Sequence, residues 1–151
     1  MLTKGICSAI IIFVIVLVCF LIWLHNMLDD SLTRKEIFNL VNENYAAILK
    51  DIEEENFAAT LSINGVKEVY YHDECLDIYC GGRGMGSATS YYGFYYSPDD
   101  LPKTCWAGSI FGEIANLKTE GNGFSIRNPN DDNWYYTEKI RDNFYYYEAH
   151  F

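Results

Sequence analysis

The chain has 151 residues, a formal net charge of −10 and five cysteines; half of its residues are hydrophobic and 17% are aromatic. A field of that sign repels phosphate backbones, so nucleic acid is excluded as a partner, whereas cationic partners are tolerated. Beyond the first 28 residues the apolar content suffices for one small domain and no more.

The first element in chain order is apolar. Of the 19 residues from Ile6 to Leu24, 14 are Ile, Val, Leu or Phe, and none is charged. As a helix the segment spans about 28 Å, close to the ~30 Å hydrocarbon core of a bilayer. Trp23 falls where an amphipathic ring prefers the interface. A cleaved signal peptide is the competing reading, but the apolar run is long and Trp23-Leu24-His25-Asn26 offers no small-x-small site. Val18 likewise argues against a lipoprotein site at Cys19. Residues 6–24 are therefore expected to be a single-pass anchor in membrane lipid. Lys4 precedes it and Asp29-Asp30 follow it, which places the N-terminus in the cytoplasm and the domain outside. All 21 acidic residues and 10 of the 11 basic ones lie from Asp29 onward, giving that part a net charge of −11.

Residues 31–55 read as one amphipathic helix. Thr33 and Glu36 have capping-box spacing, and Ile37, Leu40, Val41, Ile48, Leu49 and Ile52 recur at three and four. After Phe57 the pattern turns to strands, about residues 59–151. Thr60–Ile63 and Val66–Tyr71 flank Asn64-Gly65, the strongest hairpin signal in the chain. Leu76–Cys80 and Tyr91–Tyr96 are further strands, separated by the loop Gly81-Gly82-Arg83-Gly84-Met85-Gly86. That loop lacks the lysine and the following helix of a phosphate-binding loop. Residues 97–122 are the least periodic and Gly108–Phe111 stay unplaced; Phe124–Arg127 reads as a short strand. Asp132-Asn133-Trp134-Tyr135-Tyr136 echoes in Asp142-Asn143-Phe144-Tyr145-Tyr146, which suits a terminal hairpin. The expected class is α+β: an anchor over 1–28, then a 29–151 domain of one helix packed on five to seven antiparallel strands.

Twelve of the 13 tyrosines fall between Tyr70 and Tyr147, many as adjacent pairs. Neighbours in a strand point to opposite faces, so each pair sends one ring toward the helix and one away. An uncovered far face would display a row of rings able to stack on a protein or glycan partner, for which Tyr92, Tyr96, Tyr136 and Tyr146 are the binding candidates. The alternative is that residues 97–122 cover that face and the rings only stabilise the sheet.

His72, Cys75 and Cys80 match no zinc knuckle and lack a fourth ligand. Asn128-Pro129-Asn130-Asp131-Asp132 begins like a calcium loop, but Asn133 and Lys139 stand where glycine and a bidentate glutamate are needed. No metal, cofactor or catalytic residue is expected, and an enzyme would call for a pocket lined by His72 or His150 beside a carboxylate. Cys105 is the candidate to bridge Cys75 or Cys80, against three buried thiols; Cys75 and Cys80 face opposite ways on one strand.

At Tyr91-Tyr92-Gly93-Phe94-Tyr95-Tyr96-Ser97-Pro98-Asp99-Asp100 and Asp132-Asn133-Trp134-Tyr135-Tyr136-Thr137-Glu138-Lys139-Ile140 the chain resembles small tyrosine-rich proteins of clostridia-type Gram-positive bacteria. The resemblance spans roughly 76–151 and implies no assigned activity. Lys4-Gly5 before Ile6, and the order of apolar helix, amphipathic helix and sheet, are similar to type IV pilin-like proteins. Ile10 stands where that family has a glutamate. The expected function is a membrane-anchored, non-enzymatic binding or interaction module; the alternative is a pilin-like structural subunit.

Overall fold

A computed structural model describes residues 11–23, 32–72, 75–86, 88–111 and 117–151. The chain divides into two units, Met1–Asp30 and Ser31–Phe151. In the first, residues 11–23 form a helix (α1) with exposed apolar side chains. Residues 6–10 and 24, the rest of the expected anchor, lie outside the described residues. Among the described residues no helix is long and apolar enough to cross a membrane.

The second unit is α+β, a seven-stranded antiparallel sheet with one long helix on one face. That helix, α2 (Arg34–Glu54), starts at the expected capping box: Thr33 Oγ1 accepts from Glu36 N–H, and a Glu36 carboxylate oxygen accepts from Thr33 N–H at 2.8 Å. The Thr33 hydroxyl, which donates to the same carboxylate oxygen at 2.6 Å, and the Thr33 N–H together hold the Glu36 carboxyl below its usual value. Ile37, Leu40, Val41 and Ile48 are buried against the sheet, each contributing roughly 1.5–3 kcal/mol of apolar transfer. Arg34 at the helix start donates to the buried Glu138 Oε2, from Nε at 2.8 Å, and ties α2 to the sheet.

The Asn64-Gly65 hairpin does not form. Residues Ala58–Ser62 make a short helix, α3, instead. The buried Asp51 carboxylate of α2 accepts from Thr60 N–H at 2.7 Å and from its hydroxyl at 2.9 Å. This tertiary anchor overrides the turn signal, and the first strand starts only after Gly65. The strands are β1 (Glu68–His72), β2 (Cys75–Met85), β3 (Ala88–Tyr96), β4 (Lys118–Glu120), β5 (Gly123–Arg127), β6 (Trp134–Arg141) and β7 (Phe144–His150). Residues 81–84, expected as a loop, continue β2 as far as Met85, after a bulge between Tyr79 and Gly81. Between β3 and β4, Cys105–Ala107 form a 3-10 turn and Gly108–Phe111 one turn of helix, α4.

The spatial order is β1-β2-β3-β7-β6-β5-β4. Two meanders thus join where β3 pairs with β7, and β6–β7 form the expected terminal hairpin. Two cores result. Aliphatic residues of α2 pack with Leu76, Ile78, Phe94 and Phe144 on one face. On the other, Tyr95, Tyr135, Tyr145 and Tyr147 are buried with Ala107, Phe111 and Ile126.

Candidate functional site

Strand parity decides which ring goes where. In β2, Leu76 and Ile78 face α2, so Asp77 and Tyr79 point to the far face. The register carries that side across the sheet: Asp77 opposes Tyr95, which opposes Tyr145, and Tyr79 opposes Gly93, which opposes Tyr147. The segment 97–111 covers these rings and is pinned by their hydroxyls. Lys103 N–H donates to the Tyr95 oxygen at 2.8 Å, Thr137 Oγ1 lies 2.7 Å from it, and Tyr145 donates to the Asp100 carbonyl at 2.6 Å. Desolvation pushes the Tyr145 hydroxyl up to about 12 and Tyr95 higher still.

The binding candidates Tyr92, Tyr96, Tyr136 and Tyr146 do share a face, but it is the α2 face, and it is not exposed. Tyr146 is 1% accessible, and Tyr92, Tyr96 and Tyr136 are half-buried against the same core. Tyr136 donates to Glu138 at 2.9 Å and Phe38 lies 6.2 Å from the Tyr146 ring. The row was assigned to the wrong side because adjacent tyrosines carry no mark of which one faces the helix. The far face is the covered one of the two alternatives, under residues 97–111.

The cover is incomplete beside β1. There a pocket of about 520 Å³ is lined by Glu68, Tyr70, His72, Asp77, Tyr79, Tyr91, Trp106, Tyr147 and Phe151, within the usual size range for a small-molecule site. Its walls meet at steep angles: Trp106 is 5.9 Å from Tyr91 at 80° and 6.3 Å from Tyr147 at 75°, with Phe151 at 5.2 Å. Asp77 is 3% accessible. Its Oδ1 is buried with no hydrogen-bond partner. Burial, opposed by the neighbouring Tyr147 hydroxyl, pushes the Asp77 carboxyl up to about 7. A buried polar atom left unpaired costs about 1–3 kcal/mol, so its retention calls for an explanation.

Gly93 makes this arrangement possible. A Cβ there would stand 2.7 Å from the Tyr147 hydroxyl and 2.4 Å from the Ile78 carbonyl. Only a bare strand position lets the Tyr147 ring lie flat across β3 toward Asp77. Trp106 is held by its neighbour: Cys105 is bonded to Cys75, two residues before Asp77 on β2. Cys105 has φ +42°, a left-handed conformation unusual for a side-chain-bearing residue. Cys75 is therefore no thiolate ligand, and Cys80 is a buried thiol on the α2 face, pushed by desolvation up to about 12 and so inert.

The pocket answers the enzyme condition in part. Tyr70 opposes Asp77 across β1–β2, so His72 is a diagonal neighbour at roughly 7–8 Å on the same face. The other histidine accompanies a hydroxyl: Ser90 Oγ lies 3.0 Å from His150 Nδ1, with Trp134 stacked on the imidazole at 5.9 Å. Ser90 sits in mid-sheet between β2 and β7. Its surrounding backbone donors serve the ladder, so no oxyanion hole converges on it. A larger hollow of about 810 Å³ lies near β4 and β5, lined by Phe111, Leu117, Ile126 and Pro129 among others. Its charged groups Lys118, Glu120 and Arg127 are exposed, and among the described residues no buried polar atom without a partner lines it.

Sequence reasoning passed over Asp77, Trp106 and Phe151. The available signal was Asp77 itself, a carboxylate alone within the apolar strand Leu76–Cys80. No family model, curated protein or solved structure matches the chain.

Proposed function

We propose that the chain is a membrane-anchored binding module whose outward-facing domain holds a small ligand in the aromatic pocket of the far sheet face. The observation that carries this reading is the Asp77 carboxyl, buried in the pocket wall with Oδ1 lacking a partner. A preorganised polar atom among rigid rings is how a concave site fixes orientation while its apolar walls supply affinity. The uncharged run from Ile6 to Leu24 supports the anchor. Alkaline carbonate extraction tests it: the full chain should stay with the membrane pellet, and release into the supernatant would remove the tether.

The pocket is tested by ligand screening on the full chain, read by Trp106. Tyr91→Ala, read by Trp106, and Trp106→Ala, read by titration calorimetry, should both abolish binding of a hit compound while thermal unfolding stays cooperative. Unchanged binding in both variants would sink the reading. A second reading, acid–base catalysis, is favoured by His72 and Asp77 sharing the pocket wall. Following a bound compound over hours by NMR separates the two, since an enzyme consumes it and a binding module returns it intact.

A further inference from the structure

We infer that the pocket's ligand is a small organic cation, an alkylated ammonium group held against the aromatic walls with its charge opposite Asp77. This rests on the binding-module reading and names its ligand class.

Three observations converge. Among the described residues the lining contains acidic and aromatic side chains and His72, and no lysine or arginine. Three of the rings stand nearly at right angles in sequence, Tyr91 to Trp106 to Tyr147. All three rings line the pocket, and π faces carry the negative end of the ring quadrupole, which attracts an ammonium group. The third is Asp77, nine-tenths buried and more, with one oxygen unpaired. A neutral sugar needs several converging donors and acceptors to replace its water. A methylated ammonium needs none, because its charge is spread over C–H groups that contact rings directly. Its positive charge also favours the ionised form of the Asp77 carboxyl, which burial without a counter-charge disfavours. Glu68 at the exposed end of the wall adds to the negative field, as does the −10 charge of the chain.

The cation can be free or part of a lipid head group, and the probes distinguish these sources. The full chain, labelled with 5-fluorotryptophan and solubilised in a polyoxyethylene detergent, is titrated with choline and with 3,3-dimethylbutanol, its neutral isostere. The 19F signal of Trp106 is assigned through Trp106→Phe. Choline should move that signal at least tenfold more tightly than the neutral alcohol. Asp77→Asn should weaken choline at least tenfold and leave the alcohol unchanged. Tyr91→Leu, which keeps bulk and removes the π face, should weaken choline about threefold to tenfold. Binding of glycerophosphocholine as tightly as choline would point to a head-group source; exclusion of the phosphodiester would point to a free amine. Equal affinity for choline and its isostere, or tighter binding of N-acetylglucosamine at the same signal, overturns the cation inference and leaves the binding module standing. No response of the Trp106 signal to any probe overturns both.

Discussion

The two faces of the sheet are covered by different materials. The α2 face is closed by aliphatic side chains meeting a helix that satisfies its own backbone hydrogen bonds, so Ile37, Val41 and Ile48 need only fill space. The opposite face is closed by an irregular segment, whose N–H and C=O groups must find partners elsewhere. Tyrosine solves that problem: each ring fills volume and carries a hydroxyl to a loop group, Tyr95 to Lys103 N–H and Tyr145 to the Asp100 carbonyl. The lesson is that the nature of a covering layer decides where the tyrosine hydroxyls beneath it go, since under α2 those of Tyr136 and Tyr146 turn to the Glu138 and Glu148 side chains. A ring-and-hydroxyl core also leaves corners that aliphatic packing would fill, and the pocket beside β1 is one of them.

Breaking the far face at its tightest point should give the largest effect. Gly93→Val places side-chain atoms against the Ile78 carbonyl and the Tyr147 ring, and should cost more than about 3 kcal/mol in urea unfolding. Ile48→Ala on the helix face should cost about 2–5 kcal/mol but leave the pocket intact. Equal loss of ligand response in both variants would erase the distinction between the faces. Opening the Cys75–Cys105 bridge with the paired Cys75→Ala and Cys105→Ala changes should cost about 3–4 kcal/mol by the loop-entropy estimate. Mild reduction should free Trp106 before the α2 face responds, seen as loss of Trp106 19F dispersion ahead of the far-UV signal.

Asp77 sharpens the comparison through pH. Its folded value of about 7 stands above the ordinary aspartate value of 3.8, so the folded state holds a proton that the unfolded chain releases. Stability from this group is complete below about pH 4, falls as pH rises, and is gone above about pH 7. The loss amounts to as much as about 4 kcal/mol. The groups facing Asp77 are Glu68, Tyr70 and His72 from β1, Tyr95 from β3, and Tyr147 from β7, with Tyr135 of β6 feeling the same charge. Asp77→Asn should flatten this slope, measured by urea midpoints at pH 4.5, 6 and 8; an unchanged slope would assign it to those neighbours. The smallest effect belongs to Tyr95→Phe. It strands the Lys103 N–H and the Thr137 hydroxyl and should cost about 1–3 kcal/mol with no effect on Ile48→Ala when the two are combined.

Much of this fold was legible in the sequence. The helix Arg34–Glu54 lies inside the 31–55 window because capping box and periodicity agree with its tertiary role. The terminal hairpin is equally local, its turn set by Asp142-Asn143 with Asn143 at φ +65°. Asn64-Gly65 misled because the Asp51–Thr60 hydrogen bonds join parts of the chain that no local pattern connects. Gly81, Gly82 and Gly84 misled because backbone pairing with Tyr92, Tyr91 and Thr89 asks nothing of their side chains. The site was the least legible. Which tyrosine of each pair faces α2 depends on the register of β2, and Trp106 reaches the pocket only through a disulfide that spacing left open.

The order β1-β2-β3-β7-β6-β5-β4 has a consequence for assembly. The strand that comes last along the chain occupies an interior place, flanked by β3 and β6. Until β7 arrives, β3 presents an unpaired edge bearing Tyr91, Tyr92, Phe94, Tyr95 and Tyr96, and the two meanders cannot meet. The closing step joins segments distant in sequence, so it is slow in the way that non-local pairing is slow. The nascent domain thus passes through a period in which a sticky aromatic border is open to any other extended chain, and its yield should depend on what shields that border in the meantime.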